Sequence, residues 1–360
     1  MSANTPCHRS AQSSQLSNSP VTRRTTASDK KLLRCPFPYF GGKSSIVPIV
    51  NERFGEITAL REPFAGSAAL TLAREPVAHE ALNDVNHYIV NFWRAIKSDP
   101  EAVAEHAHHP VTEADFHARS TYLFRGDAVK GAQHQIAQDP VYFDPRLAGW
   151  YAWGKSCQIA NAFEGVQKSK PSMRGNGVCV PVYRTQRARQ LALMDWFGAL
   201  AERLHNVRIL YGDWQRLVSA PSSLGLFNKN SISGIFLDPP YAHSLARVQQ
   251  LLGLATEISD PDRGRTDCYL CDDDKSQVDQ LVADVNRWCQ QSGSNPRLRI
   301  ALCGYSGEHD NLVSDHGWTK HSWTTQGGWA NTSKKKGTRG KENKSRETIW
   351  FSPHCLRCGK

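Results

Sequence analysis

Asp238-Pro239-Pro240-Tyr241 is the segment of this chain whose residue types combine most directly into chemistry. Two consecutive prolines fix an extended backbone and remove two N–H donors. A carboxylate, a row of carbonyl oxygens and an aromatic ring are then aimed at one spot. Such a pocket accepts hydrogen bonds from an amino group and stacks a flat ring against Tyr241. The segment follows Ile235-Phe236-Leu237, an apolar run of the kind found in a strand buried on both faces. Open α/β sheets bind their ligands at the carboxyl ends of strands, which is where this tetrapeptide falls. The same residues also read as a proline-stiffened cap on a core strand, so the motif alone does not decide.

A second constellation lies upstream. Glu62-Pro63-Phe64-Ala65-Gly66-Ser67 follows a strand pattern and opens a helix pattern, and Asp84 comes 18 residues after Gly66. A glycine lets backbone approach a ligand closely, and an acid about 20 residues later is placed to bind ribose hydroxyls. With Gly66 alone, the dinucleotide G-x-G-x-x-G pattern is absent, which suits a nucleoside ligand without a pyrophosphate. Gly41-Gly42-Lys43-Ser44 lacks the first glycine of a Walker loop, because Phe37 occupies that place. Lys43 is expected to meet a carboxylate or to be a solvated surface lysine.

These residues need elements to position them. From 57 to 61 a strand leads into the glycine turn, and 68–74 reads as a helix. Val77–Leu82 is a second strand ending at Asn83-Asp84, and Val85, Ile89, Phe92 and Ile96 lie at helical spacing. Between 98 and about 186 the character changes. Histidines cluster at His106, His108 and His109, expected as a solvated or nucleic-acid-facing segment. Aromatics cluster at Trp150, Tyr151 and Trp153, and no acid occurs from 165 to 193. A helix carries Leu193, Phe197, Leu200 and Leu204 on one face. Strand patterns resume at Val207–Tyr211, Ile235–Leu237, Leu298–Cys303 and Glu347–Phe351, with an amphipathic helix over 276–291. Strands alternating with helices predict a mostly parallel sheet covered on both sides.

Composition sets the outer bounds. The 360 residues carry 44 Lys and Arg against 34 Asp and Glu, a net charge of +10, which suggests a polyanionic partner. A hydrophobic fraction of 39% supports a real core. No run approaches the ~18 apolar residues of a membrane span, and mean hydropathy is −0.51. Residues 1–31 contain almost nothing to bury and are expected to be a disordered tail. Ten cysteines in a chain this long do not form the dense framework of a small secreted domain, so reduced thiols and a cytoplasmic location are expected. Cys268/Cys271 and Cys355/Cys358 have metal-ligand spacing within each pair. The 84-position separation of Cys271 from Cys355 disfavours a zinc ribbon, and no metal is expected.

Taken in order, these pieces resemble the Dam-type DNA adenine-N6 methyltransferases. Pro38-Tyr39-Phe40-Gly41-Gly42-Lys43 is similar to that family's N-terminal cofactor motif, with Tyr39 where some members carry Trp. Glu62–Ser67 resembles its glycine loop, Asn83-Asp84 its ribose-binding acid, and Asp238–Tyr241 its catalytic motif. Gly212-Asp213 resembles a weaker element near the cofactor adenine. The resemblance implies a Rossmann-like S-adenosylmethionine methyltransferase sheet with helices on both faces and an inserted, mainly helical target-recognition region. It implies S-adenosylmethionine as methyl donor and double-stranded DNA as partner, with adenine flipped out of the duplex as acceptor.

On this reading Asp238, Pro239, Pro240 and Tyr241 are catalytic. Tyr39, Lys43, Glu62, Pro63, Phe64, Gly66, Asp84, Asp213 and Asp238 bind cofactor. Lys168, Lys170, Arg174, Arg184, Arg187 and Arg189 meet DNA. The expected organisation is a tail at 1–31, cofactor-binding part at 32–97, target recognition at 98–206, active-site part at 207–353 and a tail at 354–360. The basic run 334–346 is a candidate backbone clamp. The chain is expected to act as a monomer, with a cognate restriction endonuclease as a partner to look for in a restriction-modification setting. Cytosine-N4 methylation, RNA as acceptor, and a DNA-binding module with an inactive core are the competing readings.

Overall fold

Six strand patterns and one stretch without a pattern become seven strands among the described residues: β1 (Ala59–Glu62), β2 (His79–Asp84), β3 (Arg208–Tyr211), β4 (Ser233–Leu237), β5 (Leu298–Tyr305), β6 (Thr319–Ser322) and β7 (Glu347–Phe351). The structure is a computed structural model, which describes residues 33–38, 43–125, 127–158, 163–164, 170–171, 186–254, 275–323 and 347–357. These residues fall in one unit that begins at Leu32. The strands form a single sheet in the order β3-β2-β1-β4-β5-β7-β6. Every pair from β3 to β5 is parallel, and β7 runs antiparallel to both β5 and β6. The chain lays β2 and β3 to one side of β1, then returns to lay β4 and β5 on the other. That reversal between β1 and β4 is the switch point at which open sheets of this kind bind ligands.

Alternation along each central strand shows why the sheet is covered twice. Phe236, Ala301, Cys303, Ile349 and Phe351 pack with Val47, Val50 and Phe54 of α1 (Val47–Phe54). Their neighbours Ile235, Leu237, Ile300, Leu302 and Trp350 face the other way. They meet Val285 and Cys289 of α10 (Lys275–Ser292) and Leu312 of α11 (Asp310–His316). All five residues of β4 are buried, as the apolar run predicted. The Rossmann-like architecture is thus present.

The crossover from β2 to β3 is expanded into helices. They are α3 (His87–Ser98), α4 (Pro100–Ala107), α5 (Glu113–Arg125), α6 (Asp127–Gln138), α7 (Pro145–Cys157) and α8 (Gln186–Leu204). Their starts are written locally. Asn86, Asp99 and Asp144 accept from backbone N–H groups of the first turns, with Pro100 and Pro145 at the opening of α4 and α7. Aromatics fill this subcore: Phe92, Trp93, Phe116, Tyr151, Trp153, Phe163 and Phe197. At Gly149 helices α4 and α7 touch. A Cβ there would lie 2.5 Å from the His106 Cβ and 2.7 Å from the Val103 carbonyl oxygen.

Two expectations are corrected here. Val85 lies outside α3 and is 55% exposed, because Asn86 must take an extended conformation to cap the helix. The His106–His109 segment is a half-buried junction and not a solvated one. Its carbonyls need donors where the chain leaves α4. The Trp153 indole donates to the His109 carbonyl at 2.9 Å, and Arg189 reaches the His108 and His109 carbonyls at 3.4 Å. Among the described residues no helix is long and apolar enough to cross a membrane.

Candidate active site

Three adjacent parallel strands, β2, β1 and β4, end on one edge with Asp84, Glu62 and Leu237-Asp238. Neighbouring strands are ~4.8 Å apart, so Asp84 and Asp238 flank β1 across about 10 Å of this edge. The glycine turn after Glu62 lies between them.

On the β4 side, Asp238 follows the strand and pairs with Lys43, whose Nζ is 3.0 Å from Asp238 Oδ1. The lysine is 4% exposed, so it meets the expected carboxylate and is not a surface residue. Its Nζ is also 3.8 Å from Glu347 Oε2 and 4.9 Å from the centre of the Tyr241 ring. The Tyr241 hydroxyl donates to Glu347 Oε2 at 2.8 Å, and its ring meets Tyr305 edge-on at 4.7 Å. Burial first, then the nearby Asp238 and Glu347 charges, push the phenol well above its ordinary value. Tyr241 therefore stays a protonated donor. The sequence reading stacks a flat base on this ring. The ring is 2% exposed, with Lys43 over one face.

Prolines 239 and 240 are buried and offer no N–H, so the loop is held by the three amides after Tyr241. The Ala242 N–H donates to Glu308 Oε1 at 3.2 Å. Those of His243 and Ser244 donate to Asp279 Oδ1 at 2.7 and 3.2 Å. Two carboxylates from α10 and the β5–α11 turn thus clamp this stretch of backbone. Ser244 then caps α9 (Leu245–Leu251).

On the β2 side, Gly66 (φ 47°) and Ala68 (φ 52°) are both left-handed, and only glycine takes that conformation without strain. The turn is tied down by Ala65 N–H to the Asn83 carbonyl (2.9 Å), Gly66 N–H to Asp84 Oδ2 (2.9 Å), and the Trp93 indole to the Gly66 carbonyl (3.0 Å). The Asn83 amide donates to the carbonyls of Pro63 and Gly212, at 3.1 and 2.9 Å, joining this turn to the end of β3. Burial raises Asp84 to about 6, against backbone hydrogen bonds from Asn86, Gly66 and Val85 that lower it. A carboxylate has roughly four acceptor positions, so three backbone partners leave capacity for a ligand hydroxyl. Beside it the His87 Nε2 is buried without a partner among the described residues, and burial pulls this ring down to about 4. An ionised acid and a neutral imidazole fit a neutral, hydroxyl-bearing group such as a ribose.

The other expected residues are distributed around these two centres. Glu62 is turned toward α2 (Ala69–Leu72), accepting from the Thr71 N–H at 2.7 Å and from its hydroxyl. Both of these bonds fall on Oε1, so the fold uses part of its acceptor capacity. Pro63 is buried, and Phe64 is half-buried and stacks on Trp214 at 6.1 Å. Asp213 is exposed and accepts from the Gln215 N–H at 2.8 Å. Lys170 and Arg187 are exposed, while Arg189 is half-buried and directed at the two histidine carbonyls. Tyr39, Lys168, Arg174, Arg184, Cys268, Cys271, Cys358 and the basic run 334–346 lie outside the described residues. Cys355 is buried, its Sγ 3.6 Å from the Ser352 hydroxyl. Among the described residues no group of three or more His, Cys, Asp or Glu is placed to hold a metal.

Sequence reasoning missed Glu347, Asn83, Asp279 and Glu308 as site residues. Glu347 carried one available signal, an acid opening a strand that ends in the apolar run Ile349-Trp350-Phe351. The clamping acids carried none, because their partners are backbone amides distant in sequence.

Residues 39–142 match the family model described as D12 class N6 adenine-specific DNA methyltransferase. The match runs from the N-terminal cofactor motif through the glycine turn and Asp84 into the helical crossover. No curated protein matches the chain. The matched family is specific for adenine N6, which does not favour the cytosine-N4 and inactive-core readings. On these grounds the chain carries, over residues 39–142, a match to the D12 class of N6 adenine-specific DNA methyltransferases, which supports an enzyme that methylates DNA adenine at N6 with a methyl donor.

Proposed function

We propose that the donor is S-adenosylmethionine, lying along the β1–β2 edge, and that the acceptor is an adenine flipped out of duplex DNA toward Asp238. One observation carries this reading: Asp84 and Asp238 end strands on either side of β1, at the switch point of the sheet. When bound, the donor supplies an electrophilic methyl group on a sulfonium sulfur. Asp84 would accept its ribose hydroxyls, and the Gly66 turn would let backbone approach it closely. Asp238 and the Pro239 carbonyl would accept from the adenine N6 amino group, holding the nitrogen so that its lone pair faces the methyl carbon. The gain is one of positioning and electrostatics. Extruding a base costs a few kcal/mol in lost stacking. Tyr241 can replace part of that once Lys43 moves off its ring.

Residues 98–206 would read the DNA, with Lys170 and Arg187 as phosphate contacts that position without specifying sequence. One copy of the chain would suffice for this. The test combines two measurements on the full chain: methyl transfer to methyl-free genomic DNA, and modification-sensitive sequencing of the product. Asp238→Ala is expected to abolish N6-methyladenine formation while DNA binding survives. Undiminished transfer by that variant, or N4-methylcytosine as the product, would reject the reading.

A further inference from the structure

Glu347 is the first residue of β7, and β7 runs against its neighbours, so Glu347 pairs with Tyr305 at the edge where the parallel strands end. Its side chain is 13% exposed. It accepts the Tyr241 hydroxyl at 2.8 Å and lies 3.8 Å from the Lys43 ammonium, which contacts Asp238 at 3.0 Å. A neutral phenol donating to a carboxylate is a charge-assisted bond, stronger and more directional than a neutral one. The buried lysine therefore has two carboxylates in reach, and substrate needs one of them.

Resting on the function proposed above, we infer that Glu347 is a positioning residue for methyl transfer: it fixes the Tyr241 ring through its hydroxyl and receives Lys43 when adenine engages Asp238. Asp238 cannot offer its full charge to an amino group while it neutralises a buried ammonium. A buried ammonium cannot be left unpaired either, because desolvation is not repaid. Glu347 resolves both demands within the span of a lysine side chain. The same movement clears the Tyr241 face, since Lys43 now occupies a position 4.9 Å from the ring centre. Lys43 thereby couples the cofactor motif to the opening of the base pocket.

The experiment uses the full chain, methyl-labelled S-adenosylmethionine and methyl-free genomic DNA, with Glu347→Gln, Glu347→Asp, Tyr241→Phe and the double variant Tyr241→Phe/Glu347→Gln. Donor affinity is read separately by calorimetry. Glu347→Gln is expected to lower kcat on the order of 10²-fold, as misplacement of reacting groups does, with donor Kd changed by less than about twofold. Glu347→Asp, which keeps the charge, recovers part of the loss. In the double variant the loss falls short of the product of the single losses, because both residues act through one contact. Wild-type kcat in Glu347→Gln, or losses that simply multiply, would overturn the positioning role alone. A wild-type chain that labels no DNA would bring down the proposed function and this inference together.

Discussion

Asp84 and Asp238 are both carboxylates at strand ends, yet their surroundings give them different behaviour. Asp238 faces an ammonium, whereas Asp84 faces backbone amides and is desolvated up to about 6. This has a pH signature of definite sign. As pH falls from 7.5 toward 5, Asp84 takes up a proton and loses its strength as an acceptor for ligand hydroxyls. Donor affinity is expected to fall through that window, and Asp84→Asn should bind weakly at every pH with that dependence flattened. Stability of the unliganded fold should move the other way. An acid raised by burial favours folding below its unfolded value, and that contribution is lost as pH rises through the folded one. Calorimetric titration of S-adenosylmethionine across pH, beside thermal melts, separates the two trends. At this scale the sequence was legible wherever a residue's role followed from its own strand end. Asp238 and Asp84 were singled out that way, Lys43 came from its glycine-rich motif, and Glu347 was not found. Its role depends on a strand arriving from the opposite direction, which no local spacing encodes.

Among elements, the turn between β1 and α2 shows how much of a motif serves the fold. Glu62, read as a cofactor contact, also accepts from Thr71 twice and anchors a helix of only four residues. Burial raises it to about 7. Glu62→Ala should cost about 1–3 kcal/mol, because a buried amide and hydroxyl lose their acceptor. Glu62→Gln keeps an acceptor and removes the charge. Its melting temperature relative to wild type should therefore rise as pH passes from about 4.5 to 7.5, between the ordinary carboxylate value and the raised folded one, and level off above. A flat difference across that range would assign the Thr71 contact no electrostatic cost. Element types were readable because strands such as β4 carry short apolar runs and helices keep their period. The strand β6 was not, since all four of its residues are exposed and leave no pattern. The exposed Val85 misled because an apolar residue in phase with a helix need not belong to it.

For the whole molecule, the +10 charge predicts DNA binding that weakens linearly in log–log salt plots. Arg187, exposed at the start of α8, is expected to contribute about one unit of that slope, so Arg187→Ala should reduce its magnitude by roughly 0.9. Arg189, turned to the His108 and His109 carbonyls, should instead lower stability when replaced by Ala and leave the slope nearly intact. Filter binding at several salt concentrations distinguishes them.

The reversed direction of β7 has one more consequence. The strand starts beside Tyr241 and finishes at Phe351, opposite Ala301, near the entry side of the parallel strands. The chain then leaves along that far side, where the Leu356 N–H meets the Arg53 carbonyl at 2.8 Å. A programmable targeting module tethered beyond Arg357 would therefore hang from the face remote from chemistry, steering the enzyme to chosen loci without crowding the duplex it modifies.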